Sequence, residues 1–304
     1  MTKERIGFIG VGLMGHGMAK NILEKGFPLA VLGNRNRAPV EDLVQRGARE
    51  VKSAKALAEA SDIIFLCVTD SSVVETVIRG PDGIREGAHP DLIVVDCSTA
   101  NPVSTEALAH ELAEIGVTLV DAPLGGTPAQ AETGQLTAMV GASPEIFRRV
   151  EPAIAAWAAK IVHLGPVGTG HKVKLLNNFI AMGYAAIFAE ALAIGRANGV
   201  EPETLDRVIR GGRMDSGFYQ TFMGYALEGN RDSHKFTLAN AFKDMRYVDA
   251  MADSVQMPNP ISSATKNLFG QAVKAGMGED YVPFLADFVA RASGLPKYAP
   301  KKKD

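Results

Sequence analysis

Cysteine is scarce in this sequence, and neither sign of charge dominates. Only Cys67 and Cys97 occur in 304 residues. Two cysteines do not make a disulfide framework, and each sits near the end of an apolar run, as a small buried hydrophobe would. A reducing compartment, the cytoplasm, is therefore expected. Lysine and arginine total 32 against 34 aspartates and glutamates, for a formal net charge of −2. No basic excess points to nucleic acid or to an anionic membrane surface. Lys301, Lys302 and Lys303 read as a short solvated tail. No stretch of about 18 uninterrupted apolar residues is present, so no membrane-spanning helix is expected. The apolar start is broken by Gly7, Gly10, Gly12 and Gly15, unlike a signal peptide. The histidines (His16, His89, His110, His163, His171 and His234) form no H-x-x-x-H or Cys/His pattern, and no metal site is expected.

What is present is a regular alternation. Short apolar runs at 6–9, 29–32, 48–51, 63–68, 92–96, 117–121, 136–140 and 160–164 are separated through most of this stretch by helical patterns. Continuous apolar strands between helices predict a parallel sheet covered on both faces. After Leu164 the breaker cluster Gly165-Pro166-Val167-Gly168-Thr169-Gly170 ends this regime, and only helical patterns follow. The first, 173–197, is apolar nearly all round and is expected to be buried on most sides. The sequence thus predicts an α/β chain: a Rossmann dinucleotide-binding domain over 1–164 and an all-α domain over 165–304.

Directly after the first strand comes Gly10-Val11-Gly12-Leu13-Met14-Gly15, a G-x-G-x-x-G that opens a helix. In strand–turn–helix context this spacing is a dinucleotide fingerprint. Gly10 permits the tight turn, Gly12 lets backbone approach a pyrophosphate, and Gly15 lets the helix pack on the strand. The alternative is a glycine-rich structural turn. The second strand runs into Gly33-Asn34-Arg35-Asn36-Arg37, with no acid to bond a ribose 2′-hydroxyl. Arg35 and Arg37 suit a 2′-phosphate instead, so NADP(H) is expected in preference to NAD(H). Leu13, Met14, Asn34 and Arg35 join the glycines as cofactor-binding candidates.

Four blocks in sequence order carry a resemblance. They are Gly10 through Asn21; Asp96-Cys97-Ser98-Thr99-Ala100-Asn101-Pro102; Asp121-Ala122-Pro123-Leu124-Gly125-Gly126-Thr127, continuing through Gly134 and Met139-Val140-Gly141; and Gly168-Thr169-Gly170-His171-Lys172-Val173-Lys174-Leu175-Leu176-Asn177-Asn178. Lys243-Asp244-Met245 follows as a fifth. Together they resemble the β-hydroxyacid dehydrogenase family, of the 3-hydroxyisobutyrate dehydrogenase and tartronate semialdehyde or glyoxylate–succinic semialdehyde reductase type. The resemblance implies that Lys174 handles the proton and that Asn178 helps hold the substrate. It implies that Ser98, Gly125, Gly126 and Thr127 bind the substrate's acidic group, and that Val68, Thr99 and Lys243 touch the cofactor. The chemistry of the residues agrees. Lys174 and Asn178, four apart, share one helix face, with Gly170 one turn earlier read as room for a ligand. An ammonium there can stabilise charge on a carbonyl oxygen and donate the proton.

The chain departs from the family at the third block, where the common form is A-P-V-S-G-G. Gly125 replaces the serine and Thr127 the second glycine. Relatives that reduce a sulfonated aldehyde carry G-R-T there, and Gly126 lacks that arginine. The expected substrate is a small aldehyde acid, a semialdehyde or glyoxylate, reduced to its hydroxy acid. Imine reductases share the two-domain plan but usually carry Asp or Tyr where Lys174 stands. A dinucleotide-binding protein without catalysis is the other alternative, and the intact Lys174 and Asn178 argue against it. His171, one turn before Lys174, could face the cleft, but it reads rather as a solvated or capping side chain. Asp215, Phe218 and Tyr219 read as either pocket-lining residues or an ordinary helix start with core aromatics. The site is expected between the two domains, and the apolar second domain suggests a homodimer or homotetramer.

Overall fold

The computed structural model describes residues 3–298; the 301–303 tail lies outside them. The chain divides into two compact units, and the division falls between Lys174 and Leu175.

The first unit is built on strands β1 (Ile6–Ile9), β2 (Leu29–Leu32), β3 (Arg49–Val51), β4 (Ile63–Leu66), β5 (Ile93–Asp96), β6 (Thr118–Asp121), β7 (Leu124–Gly125), β8 (Leu136–Gly141) and β9 (Ala158–Gly165). Between them run helices α1 (Gly15–Glu24), α2 (Ala38–Gln45), α3 (Ala54–Ala60), α4 (Ser71–Arg79), α5 (Ile84–Gly87), α6 (Pro102–Ala113), α7 (Pro128–Glu132) and α8 (Pro144–Ile154). The strands order as β3-β2-β1-β4-β5-β6-β8-β7, with β9 on β8. The first six are parallel in the Rossmann order, whose reversal point lies between β1 and β4. The expectation of a wholly parallel sheet is corrected beyond β6. There β8 runs antiparallel to β6 and β7, because the connection through the short helix α7 brings the chain back without a full crossover helix.

Alternation along the strands explains the two covered faces. Ile6, Phe8, Ile63, Phe65, Ile93 and Val95 enter one core, and Ile9, Ile64, Leu66 and Val94 enter the other. Phe65 is wholly buried, stacked on Phe8 at 6.1 Å and met edge-on by Trp157 at 6.2 Å. Burying one such ring contributes about 1.5–3 kcal/mol. Helix starts carry their own signals: Ser53, Asp70, Asn101 and Ser143 each accept a first-turn N–H of the helix that follows.

Helices α9 (Thr169–Ala197), α10 (Pro202–Ile209), α11 (Gly217–Glu228), α12 (Leu238–Ser254), α13 (Pro260–Ala272) and α14 (Leu285–Ala292) complete the chain. From Leu175 on they form the second unit, where the described strand character is one bridge, Thr237 to Tyr281. Leu175, Met182, Ala185, Ala189 and Leu192 form a single buried stripe on α9, packed in a core with Phe222, Met245 and Phe269. The helix is long and apolar enough to cross a membrane by length and composition alone, yet this stripe makes it a core helix. It is not buried on most sides as expected. Leu176, Ile180, Tyr184 and Ile187 form a second apolar stripe that is 42–58% exposed. Apolarity all round told of two faces, and this chain covers one of them. Tyr219 is core, donating to Asp206 Oδ1 at 3.0 Å, and Ser216 caps α11. Asp215 accepts from the Gly211 N–H and from Gln220. The helix-start reading of this segment therefore holds.

Candidate active site

The turn after β1 shows what surrounds each of its three glycines. Gly10 has φ +95°, and a Cβ there would lie 2.2 Å from the Cys67 carbonyl oxygen at the end of β4. Gly15 brings α1 onto the turn, where a Cβ would meet the Gly10 carbonyl oxygen at 2.0 Å. At Gly12 a Cβ would meet no described atom within 4 Å, so the backbone there is open to a ligand. Leu13 stands 83% exposed on the same loop. Val68 Cγ1 lies against Gly10, at the reversal point of the sheet. An open backbone at the head of α1, with close packing on either side, fits a dinucleotide pyrophosphate.

At the end of β2 the two arginines part company. Arg37 is bound to Glu50 on β3 through two bonds, 2.7 and 2.8 Å, and the pair lies over Gly33. Each raises or lowers the other accordingly: the Glu50 hydrogen bond lifts Arg37, and Arg37 holds Glu50 below the usual carboxylate range. Arg35 is exposed, and its N–H donates to Asn34 Oδ1 at 2.8 Å. Of the two cations read from the sequence, Arg35 is the one not committed to Glu50.

The loop after β5 is anchored from both sides. The Ser98 N–H donates to Asp96 Oδ1 at 2.9 Å, and the Ser98 hydroxyl oxygen accepts the Val68 N–H at 3.0 Å. Ser98 is thereby placed beside the fingerprint turn, although 30 residues of chain separate it from Val68. Gly125 pairs with Thr137 in the β7–β8 ladder. Gly126 takes φ +129°, with Leu136 Cδ2 2.8 Å from where a Cβ would be. The Thr127 hydroxyl is used locally: it accepts the Gln130 N–H and donates to Gln130 Oε1 in a capping box that starts α7. Gln130, unremarked in the sequence, is therefore what holds this loop. Helix α7 in turn lies on α1, where a Cβ on Gly17 would be 2.5 Å from the Ala131 carbonyl carbon. His16 ties the two helices further, with Nδ1 2.8 Å from Glu132 Oε1 and Nε2 2.9 Å from Asp42 Oδ2.

Helix α9 starts four residues earlier than the sequence suggested because its cap comes from another element. The Asp121 carboxylate, at the end of β6, accepts the Gly168 N–H and the His171 N–H, both at 2.7 Å. An anion at a helix N-terminus is favoured by the unpaired N–H groups and the macrodipole. Burial pushes the Asp121 carboxyl up, opposed by His171 and by these N–H bonds. Contrary to the expectation of room for a ligand, Gly170 lets the helix sit on the sheet, 2.3 Å separating a would-be Cβ from the Met139 carbonyl oxygen. His171 is not solvated but fully buried, with its ring between Thr105 and the Ser98 carbonyl. Lys172 pairs with Glu106 at the surface. Lys174, half-buried, follows one turn after His171.

In the second unit Asn178 is buried and donates to Asp244 Oδ2 at 2.7 Å. Lys243 Nζ lies 3.4 Å from Asp244 Oδ1. The structure thus joins the fourth block to the fifth through Asp244, a partner for Asn178 that sequence reading left without a role. Asp96, Asp121, Thr105 and His171 were missed as well. The available signal was an aspartate ending each of two successive strands, β5 and β6.

Comparison with known proteins agrees with this geometry. The family model described as the NAD binding domain of 6-phosphogluconate dehydrogenase matches residues 5–165. The one described as NAD-binding of NADP-dependent 3-hydroxyisobutyrate dehydrogenase matches residues 168–284. The chain is 33% identical over 286 residues to 2-(hydroxymethyl)glutarate dehydrogenase of Eubacterium barkeri, covering 91% of each chain. It is 29% identical over 290 residues to 3-sulfolactaldehyde reductase of Escherichia coli K12, covering 95% of this chain and 97% of that one. In fold it matches a 3-hydroxyisobutyrate dehydrogenase of Mycobacterium tuberculosis with TM-score 0.84 and 21% identity, over 94% of this chain and 99% of that one. The chain belongs to the β-hydroxyacid dehydrogenase family of NAD(P)-dependent oxidoreductases.

Proposed function

We propose that this enzyme interconverts a small aldehyde acid, a semialdehyde or glyoxylate, and its hydroxy acid, using NADP(H) in preference to NAD(H). The observation that carries the reading is the start of α9. Its first turn is fastened to Asp121 and to the Ser98 loop, and it presents Lys174 four residues before Asn178 on one helix face. When bound, the reduced nicotinamide supplies the hydride that reaches the carbonyl carbon. Gly10, Gly12, Leu13, Met14 and Gly15 hold the pyrophosphate, Asn34 and Arg35 the 2′-phosphate, and Val68, Thr99 and Lys243 further parts of the cofactor. Ser98 and the Gly125–Thr127 loop bind the substrate carboxylate. With the Thr127 hydroxyl and the Thr127 N–H both committed to Gln130, the donors left to the loop are those of its glycine backbone. Lys174, as an ammonium, stabilises the charge growing on the carbonyl oxygen and gives it a proton, then regains one from water. In the oxidative direction neutral Lys174 takes the hydroxyl proton, while Asn178, oriented by Asp244, holds that hydroxyl.

The exposed stripe of α9 supports a homodimer or homotetramer, and Cys67 and Cys97, both free thiols, suit the cytoplasm. The test is NADPH and NADH oxidation with glyoxylate, tartronate semialdehyde, methylmalonate semialdehyde and succinic semialdehyde, for wild type and Lys174→Ala. Proton transfer by a positioned group contributes about 10²–10⁴-fold, and the variant should lose that much kcat with at least one of these substrates. Cofactor binding without turnover of any of them by the wild type would remove the reading.

A further inference from the structure

His171 is a fully buried imidazole that the proposed chemistry does not use. Three of its hydrogen-bonding groups each reach a different element. Its backbone N–H donates to Asp121 Oδ2 at the end of β6. Its Nε2 lies 3.1 Å from the Ser98 carbonyl oxygen, in the loop after β5. A carbonyl only accepts, so Nε2 carries a hydrogen. Its Nδ1 lies 2.9 Å from Thr105 Oγ1 on α6. The carboxylates facing the ring are Asp96, 3.9 Å from Nε2, and Asp121, 3.9 Å from Nδ1. Asp96 and Asp121 are themselves neighbours in the sheet, paired across β5 and β6. One side chain thus locks the start of α9 to the loop that bears Ser98.

We infer that His171 is the positioning residue that sets Lys174 in register with Ser98. The inference rests on the roles proposed above for those two residues. Lys174 is three residues after His171, one turn along the same helix, so rotation or lift of that turn moves the ammonium. The Ser98 carbonyl held by Nε2 belongs to the residue whose hydroxyl accepts the Val68 N–H. Releasing the ring therefore loosens the loop beside the fingerprint turn at the same time as the helix. Any buried imidazole must have its ring nitrogens bonded; here both meet groups more than 60 residues away in the chain, so the bonds tie α9 to other elements.

The Gln and Asn variants separate the two ring nitrogens. In His171→Gln the amide nitrogen stands near the place of Nε2 and restores the bond to Ser98. In His171→Asn it stands near the place of Nδ1 and restores only the contact with Thr105. Two readouts are taken on each. One is kcat and KM at saturating NADPH with the best substrate. The other is the resonance of Lys174 after reductive ¹³C-methylation, assigned by its loss in Lys174→Arg, which needs no turnover. In His171→Asn, kcat should fall about 10–100-fold, the scale of a misplacement near 1 Å, and the Lys174 resonance should shift. In His171→Gln both should return close to wild type. Equal behaviour of the two variants, in rate or in resonance, overturns the inference, as does failure of both to fold. A wild type that turns over none of the aldehyde acids would sink the functional reading separately, because the Lys174 resonance still reports the positioning.

Discussion

Gly170→Ala sets two effects against each other at the start of α9. A methyl on that Cα would lie 2.3 Å from the Met139 carbonyl oxygen, 2.9 Å from Asp121 Oδ2 and 3.0 Å from the Asp121 carbonyl oxygen. Sheet carbonyls do not swing aside as a flexible side chain does. The helix must lift by about 1 Å to bring the first contact to van der Waals range. Alanine in place of glycine inside a helix is favourable by about 1 kcal/mol, whereas overpacking a tight contact costs about 1–3 kcal/mol. The net loss of about 0–2 kcal/mol leaves a protein of ordinary stability folded. The rate should fall much further, because a 1 Å displacement of reacting groups costs on the order of 100-fold. The assay is kcat at saturating NADPH, beside NADPH affinity by fluorescence titration and a thermal melt. Affinity should fall much less than kcat, since the atoms nearest Gly170 belong to Met139 and Asp121 and not to the Gly10–Gly15 turn. A variant with wild-type kcat and a raised melting temperature would refute the reasoning, since the first turn would then not be held by Met139 and Asp121.

Arg35→Ala should cut kcat/KM for NADPH by about tenfold or more, the loss of one charge-assisted bond, and leave NADH little changed; parallel titrations with the two nucleotides check it. Replacing Ile180 and Ile187 together by Glu should lower the mass seen by light scattering to that of one chain, if the exposed stripe of α9 is the subunit interface; an unchanged mass refutes that. Stability should fall on acidification through carboxylates around His16. Burial raises Glu132, but bonds from His16 and Lys20 outweigh it and hold it low; Arg46 and then His16 hold Asp42 low. Folded values below unfolded ones mean that this stabilisation is full above about pH 4.5 and is lost as pH falls through the folded values. Urea midpoints between pH 6 and 3 should therefore fall less steeply in His16→Ala than in wild type.

Most of the first unit was legible because its signals are local. Ile6–Ile9, Ile63–Leu66 and Ile93–Asp96 are apolar runs of strand length, and the fingerprint glycines sit where a strand meets a helix. β7 is two residues long, too short for any periodicity to register, and the direction of β8 is decided by pairing rather than composition. The start of α9 was hidden for a similar reason. Gly165, Gly168 and Gly170 read as breakers, but Asp121, 47 residues before Gly168, supplies the cap that overrides them. Burial of His171 was equally out of reach, since Thr105 and Ser98 become its neighbours only once β5, α6 and α9 meet. Lys174 and Asn178 could be named from the resemblance; Asp121, His171 and Asp244, which hold the helix around them, could not.

The capping box at Thr127 bears on how this enzyme's specificity can change. Because Gln130 fastens the loop through its own helix start, the loop's shape does not depend on what occupies position 125. A Cβ on Gly125 would find Thr137 at 3.5 Å and Met139 at 3.7 Å, ordinary contacts. A serine or another small side chain can enter there without disturbing the scaffold, while at Gly126 backbone geometry and Leu136 stand in the way. On the substrate-binding role proposed for this loop, preference can therefore drift through one position at little cost in stability, and a library at residue 125 is where a search for other substrates should begin.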